Sequence, residues 1–184
     1  MVLIDASVTW TKVEQRLQSE TDPILRRNLE TILLHMKAEA AGDIDGLLDT
    51  LSEDVAYHAY GNPDRPELNP VGKDEVRGFY ERFIASGATR LQLDIDRLVV
   101  DRACVLTEGL MRMAYPGRTL AAQGIEVDDQ DAFYLYEAHM AVLWPMDEDG
   151  LARGEDTYTG TDGFAGIAGR KLRPEDIVEL MPTS

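Results

Sequence analysis

The polar–apolar pattern changes period along the chain. Up to Gly87 most apolar positions recur at three- and four-residue steps, and beyond it they alternate. Residues 7–19, "SVTWTKVEQRLQS", predict a short helix with Ser7 as its N-cap. In "TDP", Asp22 as N-cap and Pro23 at the first helical position signal a second start. Leu25, Leu29, Ile32, Leu33, Met36 and Ala40 then repeat at helical spacing, and Gly42 ends the helix. "DIDGLLDTL" predicts a short helix stopped by "SED". Residues 54–60 alternate like a strand, and "GNPDRPELNPVG" reads as a loop. "KDEVRGFYERFIAS" predicts a helix with Val76, Phe79, Tyr80, Phe83 and Ile84 on its inner side, closed by Gly87.

Four runs with a period of two follow: "TRLQLDIDRLVVD", "ACVLTEGLMRMAY", "AFYLYEAHMAVLWPM" and "LARGEDTYTG". "DEDG" at 147–150 is a hairpin turn between the last two. It lacks the ligand spacing of a calcium loop. Residues 116–131 form a long polar excursion, suited to a lid over one end of the domain. The glycine-rich segment 160–170 is neither a dinucleotide fingerprint nor a phosphate-binding loop and reads as an exit loop. "RPEDIVEL" predicts a terminal helix starting near Pro174. Helices followed by a largely antiparallel sheet make an α+β plan, with a curved sheet wrapped as a cone around the N-terminal helices. The boundaries expected are an N-terminal helical arm at 1–22, the α+β domain at 23–160 and a C-terminal extension at 161–184.

Composition narrows the partners. The 184 residues have 44% hydrophobic and 28% charged content, ordinary for one globular domain, with a net charge of −16. Nucleic acid and anionic membranes are poor partners for that surface, since both need Lys and Arg against phosphate. Cys104 is the single cysteine and sits in apolar "RACVLTEG", so an inert thiol and a reducing, cytoplasmic setting are expected. The N-terminus shows no signal-peptide pattern, and no run approaches a membrane span.

"AAGDIDGLLDTLSEDVAYHAYG" (40–61) and "VGKDEVRGFYERFI" (71–84), with the later "DEDGLARGEDTY", resemble the SnoaL-like branch of the nuclear transport factor 2-like superfamily over residues 24–160. That resemblance implies the cone fold and a homodimer, and leaves the reaction open. Against ketosteroid-isomerase-like members, His35 falls on the oxyanion-donor position and Tyr80 on its supporting tyrosine. The aspartate base position is occupied by Ala59, so the isomerase set is incomplete. Against limonene-epoxide-hydrolase-like members, the Arg and Asp positions fall on Gly109 and Met111, so that set is absent too.

If Ala59 faces the cavity, alternation brings Tyr57 inward and turns His58 outward; a bulge near Gly61 would reverse this. Met111 and Met113 then supply apolar wall. Tyr134 and Tyr136 share the inner face with Ala138, Met140 and Val142, while Glu137 and His139 face outward. Counting from the "DEDG" turn puts Glu155, Thr157 and Thr159 inward, with Asp156 taking the role if the parity is off by one. A carboxylate facing an apolar cone has its pKa raised, which suits proton transfer.

The three histidines, His35, His58 and His139, lie on separate elements, and no metal site or cofactor is expected. Resemblance to dehydratases of this fold and to relatives acting on lignin-derived diarylpropanes implies elimination of water or formaldehyde from a hydrophobic aromatic molecule, with Glu155 as base and His35 and Tyr80 as an acid pair. The alternatives are a polyketide cyclase or isomerase, and a non-catalytic dimeric binding module.

Overall fold

The structure is a computed structural model that describes residues 2–62 and 65–178. The helices are delimited by their end residues. In α2 (Pro23–Ala41) the Asp22 carboxylate accepts from the Ile24 and Leu25 backbone N–H groups at 2.9 and 3.4 Å, and Pro23 occupies the first turn. Gly42, at φ 69°, closes it in the left-handed conformation that glycine adopts without a Cβ penalty. α3 (Ile44–Leu48) is capped by Asp43, and α4 (Lys73–Ser86) ends at Gly87. α1 spans Thr11–Ser19. Ser7 does not cap it: Asp5 accepts from the Ser7 N–H and opens a separate 3₁₀ turn at Ala6–Val8.

Two sheets form. The large one has strands β2 (Leu51–Ala59), β3 (Leu91–Val100), β4 (Cys104–Pro116), β5 (Phe133–Pro145) and β6 (Ala152–Thr159), in the order β2-β6-β5-β4-β3. Three pairings are antiparallel, but β2 lies parallel to β6, so the sheet is mixed and open rather than uniformly antiparallel. β2 begins at Leu51, earlier than the alternation suggests, because Leu51 pairs with Ala152 across an irregularity that precedes Ala56. Between β3 and β4, a Cβ on Gly109 would lie 1.9 Å from the Asp94 carbonyl oxygen, so the close approach there requires glycine.

The predicted terminal helix is absent from the described residues. Pro174–Asp176 form a 3₁₀ turn, and Ile177–Val178 (β7) pair in parallel with Ile4–Asp5 (β1), leaving residues 179 and 180 outside the described set. Pro63 of the predicted loop also lies outside it. The polar excursion is partly helical, with α5 at Gly117–Ala122, and packs Leu120 against Tyr134 and Ile167. The main core joins Leu29, Ile32 and Met36 of α2 to Val76 and Tyr80 of α4 and to Leu93, Val105, Val142 and Trp144 of the sheet. Among the described residues, no helix is long and apolar enough to cross a membrane.

Candidate active site

Above that core the inner face opens into a cavity of about 250 Å³. Residues of both edge strands line it, Tyr57 and Ala59 from β2 and Leu91 from β3, so the sheet wraps around it. Met111 and Met113 of β4, Tyr136 and Met140 of β5, and Glu155 and Thr157 of β6 complete the sheet side, while Glu39, Phe79, Tyr80 and Phe83 close the helix side. Among the described lining residues there is no lysine or arginine.

Register fixes which side chains point in. Tyr57 pairs with Glu155 and Ala59 with Thr157, and all four face the cavity. His58 pairs with Asp156, and its ring turns away. It meets the Asp156 carboxylate at 2.7 Å and stacks on Tyr60, which stacks on Tyr158. Tyr134 is on the inner side of β5 but beyond the cavity. Its hydroxyl is held by Asp128 and by the backbone of Asp129, so it supports the 117–131 segment instead of lining the pocket. Arg112 on the outer face bridges Asp94 and Glu137. Nearby His139 meets Glu108 at 2.9 Å in an exposed cluster with Asp96, where Arg97 also pairs with Glu108.

Behind the wall made by Tyr80, His35 is 1% exposed and does not itself line the cavity. Its Nδ1 lies 2.8 Å from Thr50 Oγ1. The single Thr50 hydroxyl proton goes to the Leu47 carbonyl at 2.5 Å, so Thr50 must accept from His35. This assigns the proton of the neutral ring to Nδ1 and leaves a lone pair on Nε2. Burial holds the imidazole neutral, with its pKa pushed down to about 4. The Tyr80 hydroxyl, 3.4 Å away, therefore donates to Nε2, and Tyr57 donates to Tyr80 over 3.5 Å. His35 thus accepts at Nε2 from Tyr80, whereas the resemblance implies a role as half of an acid pair. Burial raises both phenols well above their usual range.

Glu155 Oε2 lies 3.9 Å from His35 Nε2, in ion-pair range but beyond a hydrogen bond. Burial pushes its pKa up to about 8, and the negative charges of Glu39 and Asp156 add to the effect. Glu39, raised by burial to about 7, had no sequence signal of its own. The detectable clue was its place four residues after His35 on one helix face.

The cavity opens into a vestibule of about 440 Å³ that shares Asn62, Leu68, Met113, Tyr115 and Tyr136 with it. The outer wall is the glycine-rich segment, and Phe164 packs edge-on to both Tyr115 and Tyr136. A Cβ on Gly163 would come within 2.2 Å of the Tyr136 ring, so this glycine lets the segment lie against the tyrosine.

The family model for the SnoaL-like domain matches residues 33–133, more than half the chain, and the protein belongs to that family. No curated protein matches the chain. Among solved structures, a protein of Shewanella putrefaciens CN-32 provisionally classed as a SnoaL-like polyketide cyclase superposes with a TM-score of 0.65 at 11% identity, covering 86% of this chain and 93% of that one. An NTF2-like protein of unknown function from Burkholderia pseudomallei K96243 gives 0.57 at 17% identity, over 77% and 95%. TerC, co-crystallised with polyporic acid, gives 0.58 at 16%, over 78% and 98%. At these identities the likeness is one of fold.

Proposed function

We propose that the protein is an acid–base catalyst that eliminates water or formaldehyde from a hydrophobic aromatic small molecule, with a lignin-derived diarylpropane as one example. The observation that carries this reading is Glu155. It is a carboxyl in an aromatic and methionine-lined cavity, 3.9 Å from Nε2 of the buried His35, with its proton affinity raised into the range where it can give or take a proton near neutral pH.

Tyr57, at the cavity end of the hydroxyl chain through Tyr80 to His35, can turn toward a phenolic or keto oxygen of the ligand. Met111, Met113, Ala59, Thr157 and Tyr136 shape the aromatic slot. The reading calls on no cofactor. It takes the active form to be a homodimer through the outer sheet face, where Tyr60 and Tyr158 are both about half exposed.

Cyclisation or isomerisation of a polyketide is the second reading, supported by the solved relatives provisionally classed as polyketide cyclases. A mass-spectrometric turnover screen separates the two. Phenolic diarylpropanes, polyketide aromatics and small steroids are incubated with wild type, Glu155→Gln and His35→Phe. Loss of water or formaldehyde, abolished in folded Glu155→Gln, supports the lyase. A product of unchanged mass moves the assignment to cyclase or isomerase. Tight binding of a compound with no turnover would point to a binding module, and turnover untouched by Glu155→Gln refutes the role of this carboxyl.

A further inference from the structure

Glu39 is an acidic group in the cavity wall to which the reading above gives no task. It follows His35 by one helical turn on α2, so both side chains rise from one face. Glu155 enters from β6 on the sheet side, and both carboxyls act on Tyr57 and Tyr80.

We infer that Glu39 and Glu155 form one unit that holds a single proton near neutral pH, with Glu155 carrying it as the acid and Glu39 ionised as the base. The inference rests on the acid–base reading of this cavity and adds a second proton-transfer group to it.

The argument is one of charge and geometry. Two carboxyls face one cavity, and the described residues lining it include no lysine or arginine. The nearby imidazole offers no countercharge, because its Nδ1 proton is engaged at Thr50 and the buried ring resists a second proton. The other ionisable groups around the pair do not neutralise it. Tyr57 and Tyr80 are neutral, Asp43 is occupied by the Gly46 N–H, and Asp156 is paired with His58 on the outer face. Arg65 and Asp162 belong to the vestibule, where Arg65 is paired with Glu67. Ionising both carboxyls would therefore place two uncompensated negative charges in one poorly hydrated space, and the first charge opposes the second.

Position decides which group keeps the proton. Glu155 lies 3.9 Å from a neutral imidazole that supplies no countercharge and is followed on β6 by the Asp156 carboxylate, so its ionised form is the less favoured of the two. Glu39 also borders a small crevice between α2 and α4 lined by Gly42, Asp43 and Ile84. Burial raises both groups, Glu155 further than Glu39, which is the same order.

The unit suits an elimination. Glu39 takes a proton as a substrate C–H bond breaks, the electron pair forms the new double bond, and Glu155 gives its proton to the departing hydroxyl, which leaves as water. One proton enters the pair and one leaves it. The resting state returns when Glu39 passes its proton to Glu155, directly or through solvent.

The test needs no substrate. Protein labelled with ¹³C at the glutamate carboxyls is titrated by NMR from pH 4 to 10 as wild type, Glu39→Gln and Glu155→Gln. The wild type should show two carboxyls titrating well above the ordinary range of about 4.3. In Glu39→Gln the Glu155 midpoint should fall by at least about one pH unit, as the like charge is lost. In Glu155→Gln, Glu39, which in wild type ionises beside a protonated and neutral Glu155, should keep a midpoint raised by burial, so the asymmetry between the two variants identifies which carboxyl holds the proton. A Glu39 that titrates near 4.3 in wild type, or a Glu155 midpoint that moves by less than about 0.3 unit in Glu39→Gln, overturns the proposal. If that happens while Glu155→Gln still abolishes turnover, the acid–base function stands and only the pair is lost.

Discussion

Replacing Glu155 by glutamine should make the protein more stable at alkaline pH and change it little near pH 4.5. The folded state raises the Glu155 pKa from 4.5 to about 8. Between those values the native carboxyl keeps its proton while the unfolded one has lost it. The unfolded state thus binds fewer protons, and stability falls as pH rises through that window. The span is about 3.5 pH units, and at about 1.4 kcal/mol per unit the ceiling is about 5 kcal/mol. Water reaching the side chain, which is 22% exposed, screens part of this, so a difference of about 2–4 kcal/mol is expected at pH 9. Glutamine keeps the volume and has no charge to lose, and the repulsion with Glu39 is already contained in the raised Glu155 pKa. Urea denaturation of both proteins at pH 5, 7 and 9 measures it: the gap in unfolding free energy should widen with pH and level off above about 8. A gap that stays constant within about 0.5 kcal/mol would mean that Glu155 is hydrated and ionised, and the argument for its role would fail.

His35 carries the opposite sign. Its pKa falls from 6.5 to about 4 on burial, so it contributes stability present above 6.5 and lost as pH drops through about 4; His35→Gln should flatten that acid limb in the same denaturation series. Asp22→Ala removes two backbone hydrogen bonds at the start of α2 and should cost about 1 kcal/mol, seen as a lower thermal midpoint. Gly163→Ala places a methyl against Tyr136 and should displace the ring, altering its fluorescence and costing about 1–3 kcal/mol. Cys104, with its pKa pushed up by burial to about 11, should react with a disulfide reagent far more slowly than free cysteine at pH 8.

Local sequence determines the elements whose cause is local. Asp22–Pro23 and Gly42 fix the ends of α2, because an end is a matter of a few backbone hydrogen bonds and one φ angle. The turn at 147–150 is equally local: Gly150 sits at φ 79° and Asp147 accepts from the Leu151 N–H. Alternation likewise separates Tyr57 from His58, since neighbouring side chains on a strand point to opposite faces. The reach of Glu155 to the cavity follows from the same period, counted from that turn.

Other features depend on segments far apart in the chain, and only the tertiary structure decides them. The parallel pairing of β2 with β6 joins residues about a hundred positions apart, and nothing in either strand announces it. Tyr134 shares the face of Tyr136, yet the Asp128 carboxylate and the Asp129 backbone claim its hydroxyl. Residues 173–178 have helical composition, but the edge of Ile4–Asp5 draws Ile177 and Val178 into a strand. The hydrogen-bonding sense of His35 depends on Thr50, whose own proton goes to Leu47. Glu39 reads as an ordinary solvated helix position until β6 folds over it. A buried charge is defined by what surrounds it, and here the cavity lining comes from seven separate α-helices and strands.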